Sequence, residues 1–215
     1  EKVWAYEAGF KSEFMGNRVR LNGAAFWTQY SDIQLVFGAV DVNDQVFFPV
    51  DNAGDVDIKG LELELTARPV EALNIFANFG LTDENWTFIK DGVAGPAVTE
   101  DTRLPFMSHF TAVFGADYTA PMGDFGTISF GANYSHRSSY FVDTSNSALL
   151  RQGAVGLLDA RVIIEPQSGN WQLKFWGKNL TDKEYITWAQ DLTDIGEAHV
   201  VSFFGRPREY GVTFR

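Results

Sequence analysis

Leu61-Glu62-Leu63-Glu64-Leu65-Thr66-Ala67 alternates apolar and polar side chains with a period of two. On a helix this order would scatter the charges around the axis. On a strand successive side chains point to opposite faces, so the leucines share one side and the glutamates the other. Residues 171–178 repeat the pattern, with Trp171, Leu173, Phe175 and Gly177 on one side and Gln172, Lys174, Trp176 and Lys178 on the other. Similar runs occur near 3–14, 18–30, 73–79, 110–118, 127–135, 155–164 and 209–215, which makes nine strand candidates.

Sorting each run by parity gives two unlike faces. One holds Trp4, Tyr6, Phe10, Leu21, Trp27, Ile75, Phe79, Phe114, Phe130, Val162 and Phe214, and carries no charge. The other holds Glu7, Lys11, Glu13, Arg18, Arg20, Glu62, Glu64, Asp117, Asp159, Arg161, Lys174, Lys178 and Glu209. A lipid-facing surface tolerates no charge near its middle, whereas a wet interior does. A soluble sandwich with one buried face also alternates, so period alone leaves both architectures open.

The connections separate them. Short links fall at Met15–Asn17, Arg68–Ala72, Pro121–Phe125 and Glu165–Asn170; long links fall at 33–52, 86–104, 140–152 and 180–203. Short and long alternate throughout. Antiparallel strands with every tight turn at one end and every long loop at the other describe an outer-membrane barrel; a Greek-key sandwich has no reason to segregate its loops. Tyr118, Trp171 and Tyr210 lie near short-turn ends or on the closing strand, while Trp27, Tyr30, Trp86, Tyr134, Tyr140 and Trp188 lie toward the long-loop end, as two interfacial girdles would require.

Composition narrows the function. The 215 residues contain 28 acids and 17 bases, a net charge of −11, which argues against a phosphate-binding surface and hence against nucleic acid. Without cysteine there is no disulfide scaffold, thiolate metal site or cysteine nucleophile. There is no run of 18 apolar residues to make a membrane helix. Glu1 opens the chain without a basic-then-apolar leader, so a signal peptide is expected to be absent or already removed.

The chain resembles the TonB-dependent outer-membrane receptors. The resemblance is carried by Tyr6-Glu7-Ala8-Gly9-Phe10-Lys11-Ser12-Glu13 and by Asn52-Ala53-Gly54 followed by Lys59-Gly60-Leu61-Glu62-Leu63-Glu64-Leu65. Trp176-Gly177-Lys178-Asn179-Leu180-Thr181-Asp182-Lys183-Glu184-Tyr185 is its most specific element. Gly205-Arg206-Pro207-Arg208-Glu209-Tyr210-Gly211-Val212-Thr213-Phe214 is similar to the family's closing strand, in which Tyr210, Val212 and Phe214 would carry the assembly signal. The family usually ends on an aromatic residue, whereas this chain ends Phe214-Arg215, so one or more residues are missing or the signal is atypical. The resemblance implies an all-β protein: residues 1–215 would be the C-terminal part of a 22-stranded type of barrel, with the plug domain and the earlier strands outside the chain. It also implies a bacterial outer-membrane location, contact with lipid, an energy-coupling TonB complex engaged through the plug, and a small-molecule ligand such as a metal chelate.

No catalytic constellation, resident cofactor or metal site is expected. His109, His136 and His199 are not at metal-ligand spacing, and nucleophile elbows, phosphate loops and dinucleotide fingerprints are lacking. The charge distribution says more. Segments 33–57, 83–103, 140–152 and 180–202 hold 16 acids and 4 bases, net −12, against 12 acids and 13 bases elsewhere. Such a field attracts cationic or metal-bearing ligands, and it also suits a solvated surface bridged by divalent ions. The ligand-binding candidates are Trp86, Tyr140 and Trp188, by stacking and apolar contact, with Asp191, Asp194 and Glu197. The function expected is energy-coupled uptake of a nutrient, most often an iron chelate of the siderophore type. A passive porin and a soluble carbohydrate-binding β-sandwich are the alternatives; an outer-membrane enzyme fits least.

Overall fold

The computed structural model describes residues 1–36, 39–43, 45–91, 98–193 and 199–215. Nine strands form one sheet: β1 (Lys2–Phe14), β2 (Val19–Val36), β3 (Val50–Val70), β4 (Leu73–Ile89), β5 (Phe110–Pro121), β6 (Gly126–Arg137), β7 (Val155–Pro166), β8 (Leu173–Lys178) and β9 (Glu209–Phe214). They pair antiparallel in chain order from β1 to β9, so each strand neighbours the next, as short and long links in alternation demand. The sheet does not close on itself; β1 and β9 are its two edges.

Register sustains the parity assignment across the whole sheet. Phe14, Val19, Ala67, Ile75, Ala116, Ala132, Ala160, Gly177 and Tyr210 stand directly opposite one another in turn, one uncharged row through all nine strands. On the reverse face a parallel row runs Asn74, Asp117, Gly131, Arg161, Trp176, Gly211. The uncharged face ends toward the long loops at the rung Trp27–Lys59–Asp83. There Lys59 lies over the Trp27 ring at 5.7 Å, an aromatic and a cation meeting at the edge of an apolar band. Ring pairs mark both borders of that band: Tyr6–Trp27 and Phe114–Tyr134 toward the loops, and Phe125–Trp171–Phe214 at the turns.

Strands β2, β3 and β4 run well past the alternating stretches into the links at 33–52 and 86–104. Bulges hide them from a period-two reading. The register shifts at Ile33 and between Asp55 and Val56, and each extra residue reverses the parity beyond it. Gly54 sits at this irregularity with φ +149°, where a Cβ would collide with the Phe88 carbonyl.

The strand faces bury little. Of the buried apolar residues among those described, Ala112 alone belongs to the middle of the sheet; Ile33, Leu35, Ala53, Val56, Trp86, Leu104, Tyr140, Val142, Leu150 and Ala189 all lie at the long-loop end. The packed core of this chain is its loop layer.

Candidate functional site in the outer loop layer

Two apolar clusters build the layer. In the first, Ile33, Leu35, Ala53, Val56 and Trp86 are covered by Leu104, with Val98 and Met107 against its rim. Counting rungs from Glu62–Gly80 to Ile58–Glu84 and Val56–Trp86 places this cluster on the charged face, so segment 98–107 folds inward over that face rather than out into solvent. In the second, Tyr140, Val142 and Leu150 pack on Ala189, Ile186 and Val200. Ile186 and Val200 belong to a two-stranded ribbon, Ile186–Asp191 paired with Val200–Phe204.

Arg103 ties the clusters together. Its guanidinium donates to Glu84 (3.2 Å), the Ser139 carbonyl (3.2 Å) and the Met107 carbonyl (3.0 Å). Its peptide N–H donates to Asn146 Oδ1 at 2.7 Å, and Asn146 Nδ2 donates back to the Arg103 carbonyl at 2.9 Å. Glu84 has a side chain 4 % exposed and also meets His109 Nε2 at 2.9 Å. A buried carboxylate needs such partners, because desolvation without them is costly. Arg137 stacks 3.9 Å from the Tyr140 ring centre and donates to Ser108 Oγ and the Phe106 carbonyl. Thr144 Oγ1 donates to the Val36 carbonyl at 2.5 Å, so the loop after β6 reaches back to the tip of β2.

The sequence candidates differ in their surroundings. Trp86 and Tyr140 are 6 % and 4 % exposed and hold the layer together. The Trp86 indole donates to the Thr102 carbonyl at 2.6 Å, and the Tyr140 hydroxyl to the Ile186 carbonyl at 3.1 Å. Trp188 presents an open ring, 41 % exposed, packed on Phe203 at 5.5 Å on the ribbon face turned away from the apolar cluster. Asp191 accepts from Ser147 Oγ and Thr193 Oγ1, both at 2.6 Å; those bonds hold its carboxyl below the usual carboxylate range. Asp143 goes the other way. Burial pushes it up, and the nearby Asp191 charge adds to the shift against the bonds from Ser145. Asp194 and Glu197 lie outside the described residues.

Tyr210, Val212 and Phe214 stand on the uncharged face of β9, opposite Gly177, Phe175 and Leu173. Among the described residues no group of three or more metal-ligating side chains converges. Glu84, Arg103, Arg137 and Asn146 escaped the sequence reading. The one available signal was Arg103, an isolated cation at the end of an acidic segment.

The family model described as "TonB dependent receptor-like, beta-barrel" matches residues 1–180. Among solved structures the chain is similar to the ferric yersiniabactin uptake receptor FyuA from Yersinia pestis (TM-score 0.78, 20 % identity, 99 % of this chain and 29 % of that one). It is also similar to the siderophore receptor PiuA from Acinetobacter baumannii (TM-score 0.70, 19 % identity, 99 % and 28 %) and to the copper transporter OprC (TM-score 0.71, 15 % identity, 99 % and 30 %). The chain thus spans less than a third of the length of each. The family match, the uncharged face with its aromatic borders and the inward-folded loop layer all agree: this chain belongs to the TonB-dependent receptor β-barrel family of the bacterial outer membrane.

Proposed function

We propose that this chain is the final stretch of barrel wall, with part of the external vestibule, of an energy-coupled receptor for an iron chelate of the siderophore type. The observation that carries the reading is the loop layer. Described parts of four long links pack together at one end of the sheet, and segment 98–107 lies over the charged face, which supports a walled mouth rather than an open pore rim. The siderophore receptors among its structural relatives support the ligand class. No covalent chemistry is needed. Ligand capture at the mouth would be followed by rearrangement of a plug, driven by the TonB complex from the periplasmic side.

The test is uptake of a radiolabelled ferric siderophore by cells carrying the full-length receptor. Uptake should saturate, fall away when the receptor gene is deleted, and stop when the proton-motive force is dissipated. Uptake that continues without that force would favour the passive porin instead. The acidic loops should act on capture rather than on assembly. Replacing Asp194 and Glu197 by Asn and Gln should leave the membrane level unchanged. It should slow association of a cationic chelate and speed that of an anionic one, and the difference should shrink at high salt. Asp191 is left intact in this test, because its carboxylate anchors Ser147 and Thr193.

A further inference from the structure

β9 is the most weakly specified strand of the sheet. It meets β8 over six rungs, Leu173–Phe214 to Lys178–Glu209. A one-residue slip would turn its side chains to the wrong face and bring Glu209 toward lipid, which is costly. A two-residue slip would not. In the slip that brings Lys174 opposite Arg215, Phe175 and Gly177 would still face uncharged residues, Phe214 and Val212, so the alternating pattern is blind to it. Nor does turn geometry decide, because residues 179–208 intervene where the β1–β2 hairpin has a tight turn.

The two stems of that long connection are tied at their base. Asn179, 5 % exposed, sits at φ +47°. Its Nδ2 donates to the Lys183 carbonyl (2.8 Å) and the Arg206 carbonyl (3.2 Å), and its Oδ1 accepts from the Lys183 N–H (2.8 Å). The Asn179 N–H itself donates to Asp159 on β7 at 2.9 Å. Asp182, at φ +52°, accepts from the Arg208 N–H at 3.0 Å and pairs with its guanidinium at 3.4 Å. The Gly205 N–H donates to the Tyr185 carbonyl at 2.8 Å, and Gly205 lies under the Tyr185 ring. Asn and Asp are the non-glycine residues that most readily take a left-handed backbone while bonding locally. These bonds fix Arg206 and Arg208 relative to the end of β8, and Glu209 follows at once.

We propose that Asn179–Asp182 is a register clasp. It sets the pairing of the closing strand on β8, so that β9 offers its free edge in one register when the barrel closes. Asn179 and Asp182 are positioning residues, with no part in holding a ligand. The proposal rests on taking β9 as the last strand of a closed barrel; it is independent of what is transported.

The experiment is cross-linking in the full-length receptor. This chain has no cysteine to interfere. Lys174→Cys with Thr213→Cys reports the native register, since the two residues are directly opposed. Lys174→Cys with Arg215→Cys reports a two-residue slip. With the clasp intact the first pair should cross-link and the second should not. Asn179→Ala or Asp182→Ala should raise the slipped product several-fold and lower the level of heat-modifiable receptor in the outer membrane. Where a variant assembles too poorly to cross-link, a preformed disulfide between positions 174 and 213 should restore its membrane level. Native cross-linking at an unchanged membrane level in both variants would overturn the clasp. So would an assembly loss that the native-register disulfide fails to repair. Uptake is not read, so a wrong ligand or a passive pore would leave these outcomes untouched.

Discussion

Single residues show which way each face points. Leu63 lies on the uncharged rung Gly23–Leu63–Phe79, and Glu64 on the opposite face beside Asn22, which donates to it at 3.1 Å. Leu63→Arg places a charge toward hydrocarbon at a cost of about 2–4 kcal/mol near the midplane, whereas Glu64→Arg stays in the interior. In the full-length receptor, Leu63→Arg should therefore lower the outer-membrane level far more than Glu64→Arg; equal levels on a quantitative blot would invert the face assignment. Gly131 offers a second check. Asp117, Gly131 and Arg161 stand in direct register on β5, β6 and β7, and the Asp117–Arg161 ion pair (2.5 Å) passes over the glycine. A Cβ at 131 would come within 2.8 Å of the Arg161 guanidinium carbon. Gly131→Val should push the partners apart and lower stability by about 1–3 kcal/mol, as overpacking does, more than loss of the half-exposed pair alone in Asp117→Asn. Thermal midpoints of the purified receptor in detergent would separate the two variants.

At the scale of elements, the loop layer behaves as a folded unit hung on the sheet. Arg103→Ala removes the guanidinium that joins Glu84 to the Ser139 and Met107 carbonyls, leaving His109 as the partner of a buried carboxylate. Breaking a buried pair from one side costs about 3–5 kcal/mol. The cost should fall on the layer, so protease added to intact cells should cut the 98–107 and 140–152 segments faster while the membrane-embedded strands stay protected. pH gives an independent handle on the same layer. Asp143 is raised by burial, so its charged form is disfavoured in the folded layer; this contribution falls as pH rises from the ordinary aspartate value through the raised one. Asp191 is lowered, so its contribution is present above the ordinary value and is lost as pH falls toward the depressed one. Asp143→Asn should make the layer more protease-resistant at neutral pH, and Asp191→Asn less. If neither variant differs from wild type at pH 7, the two carboxylates do not govern the layer.

At the scale of the molecule, nine strands leave β1 and β9 with unpaired backbone along their outer sides. In hydrocarbon each unsatisfied group costs several kcal/mol, which is why membrane sheets close. The chain by itself should not yield a heat-modifiable, protease-resistant monomer in detergent; such a species on a cold gel would show that it closes alone.

Much of this was legible in the residues because the bilayer imposes a rule that acts locally. Each strand must present one uncharged side, so Leu61–Ala67 declares its faces without reference to any neighbour. The nine strands, their order and the segregation of long links follow from that rule and from link length. The loop end was not legible in the same way. Nothing local to Trp86 or Tyr140 tells a ring open to a ligand from one packed in the cluster of Leu104 or of Ala189, and only the fold shows that both are buried there. The Arg103–Glu84 tie joins residues 19 apart, and the Thr144–Val36 bond joins residues 108 apart. Bulges at Ile33 and Asp55/Val56 erased the alternation where β2, β3 and β4 enter the layer. Lipid selects side chains one strand at a time, so the sheet and its two faces are written in the residues alone. Which loop residues are core, which carboxylates are held and where the mouth is walled depend on contacts between segments far apart in the chain, and those emerge only when the chain is folded.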